Sequence, residues 1–339
     1  PMGRLLYPSY YLMSENLGEC KEEGHSMQQD RQLGMHGLML LVAIIWGISW
    51  AVGRILATGL PPMTGAWLRY IVTTLLFYIW FAIQYSQGQP VKWLPAEKKS
   101  WKTLIIIATT GVLFYQAFFM HGMMYTAAGD ASLIITFNPI FTVLLAAPML
   151  GQPISRRMFI GLMCGFIGVF VVTGWSPNTD LPADERIFGN LLVLIASLSW
   201  AFTTNMTKRM MERRKGEEEA TALQIVVWYS LLGTLMLTPF AAFDAWQHGI
   251  PEPTMEDWYA VLYLGSLSTV LAYYWFAMGI EKLGATAASS YVFLVPVFGV
   301  LGGVWLLDEK IGWTLLIGFL MIVTGVRVVQ SESERLRTG

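Results

Sequence analysis

Two stretches of the chain decide the fold: ASLIITFNPIFTVLL at residues 131–145 and ASSYVFLVPVFGVLG at residues 288–302. They align without a gap, and the same shift aligns residues 119–172 with residues 276–329. Identical positions include the pairs Gly122/Gly279, Ser132/Ser289, Pro139/Pro296, Phe141/Phe298, Gly161/Gly318 and Gly168/Gly325. Shared apolar composition would not align Pro and Gly at one fixed spacing, so the second half of the chain repeats the first.

The composition places this repeat in a membrane. The chain is 55% hydrophobic and 13% charged, whereas soluble domains contain about 25% charged residues. Apolar stretches of about 20 residues are long enough to cross the hydrocarbon core as helices. Ten such spans are predicted, at residues 36–58, 62–85, 102–123, 127–150, 156–175, 187–209, 222–243, 257–280, 284–307 and 311–330.

Each copy of the repeat contains an odd number of spans, so the two copies have opposite orientations across the membrane. Inverted repeats are typical of secondary transporters, whose substrate site lies at the interface between the halves. The predicted fold is therefore an all-α integral membrane protein with ten transmembrane helices in two inverted five-helix repeats around a central cavity. The predicted units are a partly disordered N-terminal tail at 1–34, a first repeat at 36–175, a linker at 176–186, a second repeat at 187–330 and a C-terminal tail at 331–339.

Basic residues are distributed unevenly between the two sides of the membrane. Eighteen of the 22 Lys and Arg residues fall on the side that carries both termini, and three fall on the other side. Because basic residues favour the cytoplasmic side, we expect both termini in the cytoplasm and the protein in the cytoplasmic (inner) membrane.

Several classes of function are excluded by what the sequence lacks. With a net charge of −1 and no basic face, no nucleic-acid partner is expected. Cys20 and Cys164 have neither a disulfide nor a metal-site spacing. The sequence has no nucleophile elbow, phosphate loop or His/Glu metal pair, so we expect no enzymatic activity, no cofactor and no metal.

Three ionisable residues within the predicted spans are selected as functional candidates: Arg69 in span 2, His121 near the end of span 3 and Asp130 near the start of span 4. Such residues are costly in a membrane and usually functional. Arg69 either binds a substrate carboxylate through its guanidinium or has a structural role, bonding to carbonyls or to Asp130. His121 and Asp130 are candidates for a proton relay; alternatively, His121 is solvated at the interface and Asp130 caps its helix. Because none of them is a carboxylate deep in the bilayer, the sequence does not support obligate proton coupling.

A proline breaks one helix in each repeat at an equivalent place. Pro139 and Pro296 each remove a backbone hydrogen bond and bend the helix, and freed carbonyls are tolerated in a membrane where they line a cavity. Paired breaks of this kind point to a central site. Nearby side chains that supply hydrogen-bonding groups to it are Asn138, Ser289 and Tyr291.

Aromatic residues are abundant, with 14 Trp, 14 Tyr and 18 Phe. Tryptophans near the ends of spans fit an interfacial belt, but several aromatic residues fall deeper: Trp46, Trp50, Tyr115, Trp200 and Tyr274. Either these side chains face lipid or they line an amphiphilic cavity. An aromatic cavity with few polar groups suits a small organic molecule that has an apolar part.

The order, spacing and duplication of these features resemble the EamA branch of the drug/metabolite transporter superfamily over about residues 36–330. The matching positions are Trp46-Gly47, Pro62, Arg69, Ala131-Ser132, Pro139, Phe141, Gly161, Gly168-Val169, Trp200-Ala201, Gly284 to Ala288, Pro296, Asp308-Glu309, Gly318 and Gly325-Val326. The resemblance implies helices of both repeats around a central cavity, spans 5 and 10 packed at one edge, and export of amino acids or related metabolites by alternating access.

One departure from the family pattern concerns an acidic pair at the end of the fourth and ninth spans. The second repeat has Asp308-Glu309 at this place, whereas the first has Gly151-Gln152. If the acid has the same role in both halves, this chain retains one of two copies.

These features favour a secondary transporter that moves small amphiphilic metabolites, with amino acids as the first candidates. One alternative is an antiporter of phosphorylated or nucleotide-linked sugars, although only Arg69 supplies a cation within a span. Another is a non-transporting receptor or scaffold, which has no need of duplicated helix-breaking prolines. The expected partners are a small-molecule substrate and the lipid bilayer, and a homodimer through Gly161 and Gly165 is an option because small residues let helices approach closely.

Overall fold

A computed structural model of the protein describes residues 10–89, 91, 93–95, 98–150, 155–178, 180–212, 222–283 and 291–338. Within these ranges the chain is almost entirely helical and contains no β-strand. Nine of the described helices are long and apolar enough to cross a membrane, and a tenth apolar helix, Val295–Leu307, is shorter. The predicted all-α membrane architecture is confirmed.

The spans are numbered 1 to 10 in chain order. Those built as one helix are span 1 (Tyr10–Gly59), span 2 (Pro62–Ser86), span 5 (Arg156–Gly174), span 6 (Ala183–Glu212), span 7 (Ala222–His248) and span 10 (Trp313–Thr338). The others are span 3 (Lys98–Ala108, Thr109–Phe114 and Tyr115–Tyr125), span 4 (Ala128–Ile134, Ile135–Phe137 and Asn138–Leu150), span 8 (Met255–Leu262, Tyr263–Leu271 and Ala272–Leu283) and span 9 (Val295–Leu307). The helix of span 1 begins well before its apolar part, Gly34–Gly59.

Local sequence signals explain where several spans begin. Pro62 occupies the first turn of span 2, where a missing N–H costs nothing. Ser155 caps span 5 by accepting a hydrogen bond from the amide of Met158 at 3.2 Å. Span 8 starts with a capping box in which the side chains of Thr254 and Asp257 bond to each other's backbone N–H groups, and this pairing satisfies two of the free donors of the first turn.

Spans 5 and 10 pack against each other through glycines that are equivalent in the repeat. A Cβ atom at Gly168 would lie 2.7 Å from the carbonyl oxygen of Gly318, and one at Gly318 would lie 2.9 Å from that of Gly168. Gly161 faces the backbone of Gly325 in the same way. The first glycine of each helix therefore faces the second glycine of the other helix. The two helices are thus antiparallel, as inverted repeats require.

The remaining contacts between the halves follow the same symmetry. Span 1 packs on spans 8 and 9, and its counterpart, span 6, packs on spans 3 and 4. The linker between the repeats is also fixed: the Ser176 hydroxyl donates to Asp130 at 2.9 Å, and the buried guanidinium of Arg186 donates to the carbonyl of Asn178 at 3.0 Å. The centre of the molecule is thus enclosed by helices from both halves.

Candidate functional site

Seven aromatic side chains form a continuous cluster between the two repeats. Ring centroids are separated by 5.7 Å for Trp46–Tyr273, 5.0 Å for Trp46–Phe276, 6.2 Å for Trp200–Tyr273, 5.3 Å for Tyr115–Trp200, 5.8 Å for Tyr115–Phe119 and 5.4 Å for Trp50–Phe119. We call these residues the aromatic cluster. They come from spans 1, 3, 6 and 8, so the cluster joins both halves of the molecule.

Several members of the aromatic cluster remain partly accessible although they lie between the repeats. Trp46, Tyr115, Trp200 and Tyr273 are half-buried, in contrast to fully buried side chains around them such as Met120 and Ala272. These rings are therefore not completely covered by the side chains around them, and an aromatic surface of this kind suits a small molecule with an apolar part.

Hydrogen bonds between spans 1 and 8 fix the position of Trp46. Its indole N–H donates to the carbonyl oxygen of Ser268 at 3.0 Å, and the hydroxyl of Ser49 donates to the Ser268 hydroxyl at 2.8 Å. The phenol of Tyr263 donates to the carbonyl oxygen of Ile45 at 3.0 Å. The ring of Trp46 is therefore held in one orientation.

Spans 3 and 8 each contain a wide, π-helical segment directly before their members of the cluster. These segments are Thr109–Phe114 and Tyr263–Leu271, and they occupy overlapping places in the two repeats. Wide turns of this type occur frequently at functional sites. They are followed at equivalent repeat positions by Gln116 and Tyr273, both of which lie at the centre.

Arg69 lies beside the aromatic cluster with part of its hydrogen-bonding capacity unused. The residue is 9% exposed, its Nη2 donates to the Thr269 hydroxyl at 3.2 Å, and its Nε has no hydrogen-bond partner among the described residues. The rings of Tyr70, Tyr115 and Tyr273 lie near the guanidinium, whose Cζ is 5.9 Å from the centroid of the Tyr70 ring. Because burying an unpaired charge is costly, this guanidinium is suited to receive an anionic group.

Gln116 is a second buried polar group at this place, and it was not selected from the sequence. The residue is fully buried, and the polar side chain beside its amide is the phenol of Tyr70, which leaves part of the amide's hydrogen-bonding capacity unused. Buried amides normally find partners. The sequence feature that could have identified Gln116 is an uncharged polar side chain inside an apolar span.

The two prolines each stand at the second residue of a new helical segment. Pro139 follows a 3₁₀ turn at Ile135–Phe137, and Pro296 follows a turn closed by a 2.9 Å hydrogen bond from the Leu294 amide to the Tyr291 carbonyl. Beside the first break, the Asn138 amide donates to the carbonyl of Ser197 at 2.8 Å. Asn138 therefore ties span 4 to span 6.

Three other predicted site residues have different surroundings. Tyr274 is 39% exposed and contacts Trp80 with a 5.9 Å centroid separation, so its neighbour Tyr273 takes the central position instead. The Tyr291 hydroxyl lies 2.7 Å from Nδ1 of His36, near the start of the apolar part of span 1. Ser289 lies outside the described residues.

The two candidates for a proton relay belong to separate hydrogen-bond groups. Nδ1 of His121 lies 2.7 Å from the carbonyl oxygen of Ala117 in its own helix. Asp130 is fully buried and accepts from Ser176, while its other carboxylate oxygen lies 3.9 Å from Nε of Arg186. The contacts of Asp130 therefore bind the linker to span 4.

A carboxylate from the joint between spans 9 and 10 binds the start of span 4. Glu309 accepts hydrogen bonds from the amides of Ala128 at 2.6 Å and Gly129 at 2.8 Å. A side chain at Gly303 would overlap the carboxylate, and a Cβ at Gly129 would lie 3.3 Å from it. Burial raises the pKa of Glu309, and these two hydrogen bonds and the Arg54 charge lower it in part. We call this contact the Glu309 lock.

A second carboxylate makes a similar contact between the halves. Asp244 of span 7 accepts hydrogen bonds from the amides of Met63 and Thr64 in the first turn of span 2, each at 3.0 Å. Negative charge at a helix start is favourable. Both contacts join a side chain of the second repeat to a helix start of the first.

The arrangement of antiparallel repeats around the aromatic cluster is typical of a membrane transporter. The sequence profile of the EamA-like transporter family matches residues 34–174 and again residues 187–330. The chain therefore belongs to the EamA-like transporter family. It is a multi-pass membrane protein whose partners are lipid and a small-molecule substrate.

Individual relatives agree with this assignment. The chain is 26% identical over 300 residues to the "Uncharacterized transporter YetK" of Bacillus subtilis (strain 168), covering 88% of this chain and 87% of the relative. It is 23% identical to a "Probable amino-acid metabolite efflux pump" of Escherichia coli (strain K12), covering 86% and 93%. A solved crystal structure matches with a TM-score of 0.56 at 18% identity, over 88% of this chain and 98% of that one, which supports the fold alone.

Proposed function

We propose that this protein is a secondary transporter of the cytoplasmic membrane that moves small amphiphilic metabolites by alternating access. Amino acids are the first candidates, and export or facilitated diffusion is the expected mode. The observation that carries the proposal is the aromatic cluster with Arg69 beside it, enclosed by helices of two inverted repeats. In this arrangement Arg69 binds a carboxylate and the rings bind the apolar part of the substrate.

Two further observations support amino acids rather than phosphorylated sugars. Relatives at low identity carry the name of a probable amino-acid metabolite efflux pump. Phosphorylated substrates need several cations at the site. Arg54 and Arg186 do not supply them, because both donate to backbone carbonyls near the membrane surface opposite to the one that carries the termini. Arg69 is thus the single cation available beside the aromatic cluster among the described residues.

The orientation proposed for this transporter places both termini in the cytoplasm. It rests on the distribution of Lys and Arg between the loops. Ile250 is 88% exposed. In a cysteine-free background, we expect the Ile250→Cys variant to react with an impermeant maleimide in intact cells. Arg157→Cys should react only after permeabilisation, and the reverse pattern would refute the orientation.

Transport itself is tested with purified protein in proteoliposomes. Preloaded vesicles should exchange radiolabelled amino acids with saturable kinetics, and at least one amino acid should compete at micromolar to millimolar concentration. Vesicles without protein provide the background rate. If no amino acid is exchanged but a sugar phosphate is, the proposed substrate class is wrong; if no member of either class is exchanged, the transport proposal itself fails.

A further inference from the structure

The charge of the central groups limits which amphiphilic molecules bind well. Arg69 provides a positive charge next to the aromatic cluster, and its Nε has no hydrogen-bond partner among the described residues. Gln116, whose amide lies beside the Tyr70 phenol, offers a neutral donor and acceptor. A carboxylate that reaches Arg69 would supply the missing acceptor through a charge-assisted hydrogen bond.

Among the residues that the structure describes, no matching negative charge is available at the centre for a substrate ammonium group. Within the apolar parts of the described spans, every acidic residue lies at or near a helix end, and residues 284–290, which the structure does not describe, contain no acidic residue in their sequence. The acids nearest to the middle of a span are already engaged, Asp130 with Ser176 and Asp244 with the start of span 2. A substrate ammonium at the centre would therefore lose its water without gaining an ion pair, and it would lie near the charge of Arg69.

We propose that the central site prefers aromatic or other apolar monocarboxylates with a net charge of −1 over zwitterionic amino acids, and that it rejects amines. This inference rests on the transport function proposed above and specifies its substrate class. The carboxylate binds Arg69 with help from Gln116, and the ring packs against Trp46, Tyr115 and Trp200. The α-amino group finds no carboxylate to pair with in this site.

The test uses probes that share one phenyl ring and differ in charge: 3-phenylpropanoate, phenylalanine, 2-phenylethylamine and the neutral 3-phenylpropanamide. Binding to purified protein is measured by calorimetry and by quenching of tryptophan fluorescence, which avoids passive leakage of the acid through vesicles. We expect the acid to bind about tenfold more tightly than phenylalanine, and the amine not to bind.

Two arginine substitutions make the assignment specific. Arg69→Gln should abolish the preference for the acid over the amide, because glutamine keeps hydrogen-bonding groups but removes the charge, and continued binding of the amide shows that the variant is folded. Arg157→Gln removes a charge whose side chain is 69% exposed and should change neither value.

Phenylalanine binding as tightly as the acid would overturn the inference while leaving an amino-acid transporter in place. An unchanged preference in Arg69→Gln would overturn the role of Arg69, and binding of none of the probes would overturn the aromatic site. The flux assay with amino acids and sugar phosphates decides the transport function separately from all these outcomes.

Discussion

Trp46 has two kinds of contact in the aromatic cluster, which makes it the clearest single residue to test. Its ring packs against Tyr273 and Phe276, and its N–H is bonded to Ser268. An aromatic pair contributes about 0.5–1.5 kcal/mol beyond the area that it buries, so Trp46→Ala should weaken the apparent affinity for substrate by about threefold to tenfold. Flux at a series of substrate concentrations measures this effect.

Matched tryptophan variants separate the role of the ring from general damage. Trp46→Phe keeps an aromatic ring but loses the bond to Ser268 and part of the indole's contact area. We therefore expect an affinity between those of wild type and Trp46→Ala. Trp305 is 85% exposed, and Trp305→Ala should leave the affinity unchanged. Equal affinities in Trp46→Ala and wild type would remove Trp46 from the binding site.

At the residue scale, the sequence could locate candidate side chains but could not orient them. Arg69, Trp46 and Trp200 were selected because charge or bulk deep in a span is unusual, and the structure brings them together. Tyr274 and Tyr273 are adjacent, and regular helical periodicity does not distinguish them because the wide turn before them changes the rotation of the helix. The sequence carries no visible signal for that turn.

At the scale of the helices, the Glu309 lock at the start of span 4 depends on whether the Glu309 carboxyl group is ionised. When the Glu309 lock is closed, as in this structure, burial raises the pKa of the Glu309 carboxyl group. When the contact opens and the carboxyl group meets water, it has its ordinary pKa. The closed form therefore binds the proton more tightly. Acidification through the raised pKa therefore favours the closed lock, and this contribution is lost as the pH rises through it.

Hydrogen exchange at the amides of Ala128 and Gly129 reports on the Glu309 lock directly. After correction for the intrinsic rate, we expect protection in wild type to increase as the pH falls. Glu309→Gln should show no pH step and should protect one of the two amides less, because its side chain has a single acceptor oxygen. Glu309→Ala should be less protected at every pH, because both amides lose their acceptor. Protection that decreases on acidification in wild type would contradict this account.

Element boundaries were largely predictable because a membrane imposes both a length and an apolar composition. The predicted span at 62–85 and the observed helix Pro62–Ser86 differ by one residue. The helix of span 1 differs more, since it begins at Tyr10 in a polar segment where apolar patterning gives no start signal. The Glu309 lock could not be foreseen, because its partners are separated by 180 residues or more and its first-repeat counterpart, Gln152, is not an acid.

In the whole molecule, the glycine contact between spans 5 and 10 is the most direct consequence of the inverted repeat. The glycines at 161 and 165, which offered a route to a homodimer, pack inside the chain against spans 10 and 4. Any dimer must therefore use another face. The same close approach explains why the repeats keep glycine at both equivalent positions, since each backbone occupies the place of the other's side chain.

Adding one methyl group to this contact tests whether it holds the halves together. A Cβ at Gly168 would lie 2.7 Å from the Gly318 oxygen and 2.9 Å from the Ile322 amide nitrogen, and both are backbone atoms that move only if the helices separate. Overpacking of this kind costs about 1–3 kcal/mol, so Gly168→Ala should lower the melting temperature measured in detergent.

Gly37 has nothing within 4 Å of its Cβ position, and Gly37→Ala should leave the melting temperature unchanged or slightly higher because alanine favours helix. Equal melting temperatures for the two variants would mean that spans 5 and 10 do not approach as closely as described, and the pseudo-symmetric contact between the repeats would lose its main support.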